Sequence, residues 1–496
     1  MSIKLAAESL SSLPDSVAVP RYTSSDLAAG IVHFGIGNFH RAHQAVYLDE
    51  LFNLGLDRDW GIVGAGVRAN DVGMKQILAA QDYLTTVVEQ DASETRARVT
   101  APMVGFLEPG DSAAIIAALA DPAIRIVSLT ITEGGYYLDA EGAFNPAHPD
   151  IVADAAGFDA PGFDAPKTVF GLILAGLKAR RENAVLPFTV MCCDNIPHNG
   201  RVTLNAVAGL ADLVDPELAT WVRETVAFPN GMVDRITPAT SDRERAMVAE
   251  HYGIADGWPV FCETFRQWVL EDRFPMGRPA LDRVGVTFVA DVSPWELMKI
   301  RILNGGHAAI AYPAALMDIH FVHEAMEHPL IAAYLEKLTR EEIIPVVPPV
   351  PGTDLEDYRQ LIATRFANPR IGDTIERLCL DGSNRQPKFI LPSVEDRLAQ
   401  GAPVTGLALV SALWCRYCYG TTDSGAPIAP NDPAWERLQT AAIRARDAPE
   451  AYLEMTDIFG AAARHPAYRA AFIHGLRTVW EIGARRTLER YIQDAL

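Results

Sequence analysis

The segment from Ile31 to Arg41, IVHFGIGNFHR, limits what this chain can fold into more than any other. A short apolar run that reads as a buried strand meets two glycines. Beyond them, in NFHRAHQAVYLDELFNLG, Ala42, Val46, Leu48, Leu51 and Phe52 recur at helical rather than alternating spacing. Strand, glycine turn and helix make the first half of a βαβ unit. Gly35 permits the tight turn, and Gly37 lets an anionic group approach the free N–H groups of the next helix. Gly35, Gly37, Asn38, Phe39 and Arg41 are therefore candidate cofactor-binding residues. His40 stands where the dinucleotide pattern has its third glycine, so the motif alone also fits an ordinary strand-helix turn.

The same alternation continues downstream. A second strand is expected over Gly61 to Gly66, and apolar β-rich runs at Ile126 to Thr132 and Phe188 to Cys193 are separated by helical segments such as Ser112 to Leu119 and Val169 to Arg180. This order predicts a doubly wound, mainly parallel sheet. From Ser293 onward amphipathic helical stretches dominate, among them AAYLEKLTREEI, DPAWERLQTAAIRAR and TVWEIGARRTLERYIQDAL. The expected fold class is an α/β Rossmann-type N-terminal domain (residues 1–290) followed by a mostly α-helical substrate-binding and catalytic domain (residues 291–496). The Ala/Asp/Pro-rich stretch at 152 to 166 reads as a surface excursion. After the second strand, Arg68-Ala69-Asn70-Asp71 offers Asp71 to the hydroxyls of an adenosine ribose. Its charge favours NAD over NADP, whereas Arg68 could pair with the extra phosphate and let NADP be tolerated. Solvated loop charges are the plainer alternative. Glu133, in Glu133-Gly134-Gly135 after another strand, borders the same cleft or marks a plain turn.

Charge and composition exclude several partners. A formal net charge of −20 repels phosphate backbones, and no basic patch with interleaved aromatics is present, so nucleic acid is not expected. No run reaches the ~18 apolar residues of a membrane span. The start has no apolar signal core, which points to a cytoplasmic location. Six Cys in 496 residues are too few for a disulfide scaffold. Cys415 and Cys418 have redox spacing but lie in an apolar helical run, where a reduced structural pair is expected; Cys192 and Cys193 read as core. The histidines at 40, 43, 198, 307 and 323 form no zinc spacing, so no metal is expected. His40 and His43 support the helix after the glycine turn.

The segment DVSPWELMKIRILNGGH opens a helix: Ser293 is a candidate N-cap, Pro294 suits the first position and Glu296 completes a capping box. At roughly 100° per residue, with Lys299 as zero, Glu296 falls at about 60°, His307 at about 80° and Asn304 at about 140°, so all four can face one cleft. Gly305 and Gly306 are costly in a helix and suggest close approach of a ligand or another backbone. Oxidation of an alcohol by NAD needs a base for the hydroxyl proton and donors for the developing oxygen charge, and Lys, Asn and His can supply both. Lys299 must be neutral to act as base; burial favours that state and Glu296 opposes it. Glu296 is then a proton relay, or it caps its helix while Lys299 is a surface lysine.

At these residues the chain resembles the long-chain mannitol dehydrogenase family of polyol-specific dehydrogenases. The resemblance spans nearly the whole sequence and rests on GIGNFHRAHQAVYLDEL, QDYLT, VSLTITEGGY, CDNIPHNG, FPNGMVDRITP, QWVLED and Lys299-x4-Asn304-x2-His307. It implies metal-free hydride transfer between NAD(H) and a polyol/ketose pair, D-mannitol and D-fructose foremost. Lys299 would be the general base, with Asn304, His307 and Asn195 at the oxygen. Asp234, Arg377 and Arg385 would be substrate contacts. Two positions depart from the family pattern: Arg385 stands where a Lys is usual, and Asn70 replaces an acidic residue beside Asp71. A hexuronate reductase, whose substrate needs a cationic clamp, a D-arabinitol or D-sorbitol dehydrogenase, and a non-catalytic nicotinamide sensor stay open. The resemblance also implies a monomer or weak oligomer.

Overall fold

A computed structural model describes residues 2–139, 142–158 and 166–496. They form two compact units, Met1–Val292 and Ser293–Leu496. The first is built on five strands, β1 (Ala29–Phe34), β2 (Gly61–Ala65), β3 (Met103–Phe106), β4 (Ile126–Leu129) and β5 (Thr189–Cys192). All pair in parallel, in the order β3-β2-β1-β4-β5. Chain progress reverses at β1, so a crevice opens beyond the carboxyl ends of β1 and β4, where doubly wound sheets bind ligands. The Rossmann-type expectation is met.

Strand alternation divides the core between the two faces of this sheet. Val32, Phe34, Val127, Leu129, Val190 and Cys192 pack on one face with the helices Ser112–Ala120, Val169–Glu182 and Asn199–Val214. Ile31, Ile126 and Met191 face the other side, with Tyr47, Leu48, Leu51 and Phe52 from the helix Gln44–Asn53. On that second face the period of two also directs inward His33 and Ser128, which are register partners on adjacent strands. They satisfy each other: His33 Nδ1 lies 2.7 Å from Ser128 Oγ, and Nε2 lies 2.8 Å from Thr130 Oγ1. An unpaired imidazole there would be costly.

Three features of the first unit depart from the sequence reading. The helix after the glycine turn is two helices, Asn38–Ala42 and Gln44–Asn53, broken at His43 (φ −120°, ψ −88°). His43 is buried, and its Nε2 lies 3.0 Å from the carbonyl oxygen of Gln267. Three smaller sheets accompany the parallel one among the described residues. One contains the antiparallel hairpin Thr85–Gln90 and Thr95–Thr100; in another Gly231–Asp234 pairs antiparallel with Gln267–Glu271; in the third Ile3–Lys4 pairs parallel with Ile254–Ala255. The stretch expected as an excursion begins inside a helix, Pro149–Gly157, whose Ile151 and Asp154 are buried because Asp154 caps the next helix through Thr168; residues 159–165 lie outside the described residues.

The second unit is helical. Thr405–Cys418 is buried from Gly406 to Cys418 and packs against the long helix Pro466–Ile492. The long helix kinks at Gly483 (φ +80°), where Ala484 N–H donates to Asp423 Oδ2 at 2.6 Å. All six cysteines are buried and unbridged. Among the described residues no helix is long and apolar enough to cross a membrane.

Burial pushes the His33 and His43 imidazoles down to about 3, so both stay neutral in the folded chain. Once unfolded they bind protons below about pH 6.5. The folded state cannot, so their contribution is full above about pH 6.5 and is lost as pH falls toward the folded value. The Asp49 carboxyl, raised by burial to about 6, acts in the opposite sense. The histidine effect therefore shows as a difference between proteins. The gap in Tm between wild type and His43→Phe should shrink as pH falls from about 7.5 to about 5, read by thermal melts; a constant gap would contradict a neutral, buried His43.

Candidate active site

In the first unit the crevice is a cleft of about 260 Å³, near the lower end of the size range of small-molecule sites. Its wall includes Gly35, Gly37, Gly66, Arg68, Asp71, Thr130, Ile131, Thr132 and Tyr137. Gly35 has φ +94°, and a Cβ there would lie 2.1 Å from the carbonyl oxygen of Thr130. No other residue fits. Gly37 has open space around it, its nearest neighbour for a Cβ being 3.9 Å away. Asp71 accepts Arg68 N–H at 2.8 Å and packs over Gly66, where a Cβ would lie 2.4 Å from its Oδ2. Arg68 Nη2 reaches the carbonyl of Ile131 at 3.4 Å.

Four other sequence candidates lie outside this wall. Arg41 is buried and donates to the carbonyl of Trp258 at 2.5 Å and to Asn38 Oδ1 at 3.0 Å. Asn38 donates in turn to Pro238 O and Thr240 Oγ1. Phe39 stacks on His43 at 4.9 Å. The side chains of these three fasten the turn from behind, and their backbone forms the helix that starts after Gly37. Glu133 is exposed at the head of the turn Glu133–Tyr136, between the wall residues Thr132 and Gly135.

Asn195, just past β5, is exposed, and Asp234, the last residue of Gly231–Asp234, is buried. Asn199 ties the segment after β5 to the first residue of that strand. Its Nδ2 donates to Asp194 O at 3.1 Å and Gly231 O at 2.8 Å, and its Oδ1 accepts Gly231 N–H at 2.9 Å. Sequence reasoning missed Asn199 and Asp194, although both lie in CDNIPHNG. A polar side chain directly after a buried strand was the available signal.

In the second unit Ser293–Met298 runs directly into a π-helical turn, Lys299–Asn304, and then into Gly305–Leu316. The Gly305 N–H donates to the carbonyl of Ile300, five residues back. This corrects the angles expected from an α-helix: the wider turn brings Asn304 back toward the Lys299 face, and His307 follows three residues on. Lys299 and Glu296 are both buried, so Lys299 is not a surface lysine. The close approach expected at the two glycines involves protein atoms. A Cβ on Gly305 would lie 3.2 Å from Phe389 O, and one on Gly306 3.4 Å from the Phe366 ring.

That ring also carries His307, stacked at 4.0 Å and 12°. Burial, then the charges of Arg377, Arg365 and Arg385, hold the His307 imidazole well below its usual range. It is neutral, and its buried Nε2 has no hydrogen-bond partner. Arg377 is paired with Asp373 through two contacts of 2.5 Å, and Arg385 donates to the carbonyl of Leu378 at 2.7 Å. Among the described residues no three His, Cys, Asp or Glu side chains gather in a way that could hold a metal ion.

Residues 29–283 match the mannitol dehydrogenase Rossmann domain and residues 291–480 the mannitol dehydrogenase C-terminal domain. The chain belongs to the mannitol dehydrogenase family. It is 61% identical to a mannitol 2-dehydrogenase of Cereibacter sphaeroides, over 96% of this chain and 99% of that one. Among solved structures it is similar to the Pseudomonas fluorescens mannitol 2-dehydrogenase in ternary complex with NAD and D-mannitol (43% identity, TM-score 0.87, covering 99% of this chain and 100% of that one). It is also similar to a D-sorbitol dehydrogenase in substrate-free form (33% identity, TM-score 0.89, covering 98% and 100%).

The two glycines of the turn should separate fold from binding. Gly37→Ala, with room for its Cβ, should keep the wild-type Tm and weaken NADH by ~10-fold through crowding at the cleft. Gly35→Ala should lower Tm and abolish binding together. Fluorescence titration and thermal melts read both; wild-type affinity in Gly37→Ala would remove that residue from the cofactor site.

Proposed function

We propose that this mannitol dehydrogenase family member interconverts D-mannitol and D-fructose with NAD(H), without a metal. The observation that carries the reading is a buried Lys299 one π-turn from Asn304, in a chain 61% identical along 96% of its length to a mannitol 2-dehydrogenase. The cleft of the first unit suits a dinucleotide: its glycine turn exposes backbone, and Asp71 is available to ribose hydroxyls. NAD, when bound, supplies the hydride acceptor.

The chain's own residues move the proton. Lys299, in its neutral form, takes the hydroxyl proton as hydride leaves the carbon; Glu296, buried one turn earlier, carries it onward. Asn304 and the neutral His307 donate to the oxygen as charge develops, with Asn195 as a further donor. The unpartnered Nε2 of His307 supports this, since a buried ring nitrogen without a protein acceptor is completed by substrate. Asp234 and Arg377 grip other hydroxyls, and Arg385 borders them. The commitment of Arg377 to Asp373 and of Arg385 to Leu378 O favours a neutral polyol over a uronate. Asp71 favours NAD, with NADP tolerated weakly through Arg68.

The test measures NADH and NADPH oxidation with D-fructose, fructuronate and tagaturonate, and NAD reduction with D-mannitol, D-sorbitol and D-arabinitol. D-Fructose and D-mannitol with the NAD pair should dominate, activity should survive chelator, and Lys299→Ala should lose ~10²- to 10⁴-fold in kcat with NADH affinity retained. Full activity in Lys299→Ala would remove the base, loss with chelator would overturn the metal-free mechanism, and a preference for a uronate would replace the substrate.

A further inference from the structure

Beyond β4 the chain enters a segment that L-residues adopt reluctantly. Thr132 has φ +65° and ψ 161°, and Tyr137 has φ +53°. The first is a backbone region that is almost exclusive to glycine, and Thr132 is β-branched. Both residues line the cleft. Such strain persists only where surrounding contacts enforce it, and it concentrates at ligand sites.

One side chain enforces it. Asp194, two residues past the end of β5, accepts Ile131 N–H on Oδ2 at 2.9 Å and Thr132 N–H on Oδ1 at 3.0 Å. Its Oδ2 also accepts the hydroxyl of Tyr136 at 2.6 Å. Tyr136 is fully buried between the two strained residues, with its oxygen 2.8 Å from Cys192 Sγ. The carboxylate thus holds three points of one short segment. Its backbone is fixed as well: Asp194 O accepts Asn199 Nδ2 at 3.1 Å and Ile196 N–H at 2.9 Å. Asn195 is its chain neighbour. A single rigid joint therefore connects the cleft wall after β4 with the residue expected at the reacting oxygen.

We propose that Asp194 is a positioning residue that clamps Ile131–Tyr137 in its strained form, and so sets both cofactor affinity and the placement of Asn195. The inference rests on the dinucleotide reading of the cleft. Asp194 touches no reacting atom; it acts through the backbone it holds. Both oxygens are occupied by N–H donors, so an amide at 194 would turn a donor toward a donor and release one end of the clamp.

The variants are Asp194→Asn, Tyr136→Phe and Asp194→Asn combined with Thr132→Gly, each measured by NADH titration, kcat, KM and thermal melts. Asp194→Asn should weaken NADH by ~10-fold and lower kcat as well as raising the KM for NADH. Glycine at 132 adopts positive φ without a clamp, so the double variant should recover most of the NADH affinity while its Tm stays low. A purely structural role would lower Tm and leave affinity and kcat within about twofold of wild type; that result, or a double variant no better than the single, overturns the proposal. Should Asp194→Asn not fold, Tyr136→Phe decides: affinity weakened ~3-fold or more supports the clamp, and unchanged affinity overturns it. A wild type that binds no NADH overturns the cofactor reading and this inference together, whereas binding by wild type and Asp194→Asn alike overturns the inference alone.

Discussion

Between Phe34 and Thr130 two adjacent parallel strands end and their chains diverge, β1 toward β2 and β4 toward β5. The divergence is possible only because Gly35 has no side chain: its α-carbon sits so close to Thr130 O that even a methyl group would overlap the carbonyl. Thr130 closes the contact by donating its hydroxyl to Gly35 O at 2.6 Å, and His33 lies beneath, 2.8 Å from the same hydroxyl. Two sides of the cleft leave from this point, Gly37 on one and Ile131 and Thr132 on the other. The buried polar pair His33 and Ser128, with His40 stacked on His33 and Gln44 accepting the Ser128 hydroxyl, belongs to the same joint. A satisfied buried polar contact adds little net stability but strongly disfavours any other register, since a slip of one residue would leave His33 unpaired.

The helical unit solves a different problem. An α-helix through Lys299 would have turned Asn304 far around the axis. Widening one turn to a five-residue hydrogen bond realigns it, at the cost of poorer backbone packing. Gly305 and Gly306 allow that packing to be recovered elsewhere, because the bare backbone closes on Phe389 O and on the Phe366 ring. Phe366 then supports His307 from behind. The residues to which the proposal gives no chemistry are what fix the separation of those to which it does.

Much of this was legible in sequence where a local rule governs. The glycine turn, the strand-helix alternation and the change to helices near Ser293 follow from hydrophobic period and turn chemistry, and the four polar residues of the Lys299 segment were visible as a set. What was hidden depends on long-range contact. Nothing in NFHRAH shows that the side chains of Asn38 and Arg41 bond Pro238 and Trp258 some 200 residues away and so hold the turn to a distant part of the chain. The π-turn was hidden because periodicity assumes the very α-geometry that it breaks. Asp194 and Asn199 were hidden because a polar residue after a strand reads as solvated until the neighbouring strand ends are placed beside it.

Charge in the cleft bears on which nicotinamide dinucleotide it holds. Among the described residues of its wall Arg68 is the one cation and Asp71 the one carboxylate, in a chain of net charge −20. A pyrophosphate brought there gains little from the overall field, which is repulsive, and must be held by backbone N–H groups and Arg68 at short range. Short-range hydrogen bonds are less sensitive to salt than a diffuse field, so screening should relieve the repulsion more than it weakens the grip. An additional phosphate on the adenosine ribose would bring roughly two more negative charges beside Asp71, whose carboxylate is fixed there by the Arg68 N–H. Arg68 cannot fully offset both, because its guanidinium extends toward Ile131 O rather than toward the Asp71 end. On the proposed reading of the cleft, preference for the unphosphorylated cofactor follows from the position of one carboxylate, and the arginine that could relax it points elsewhere.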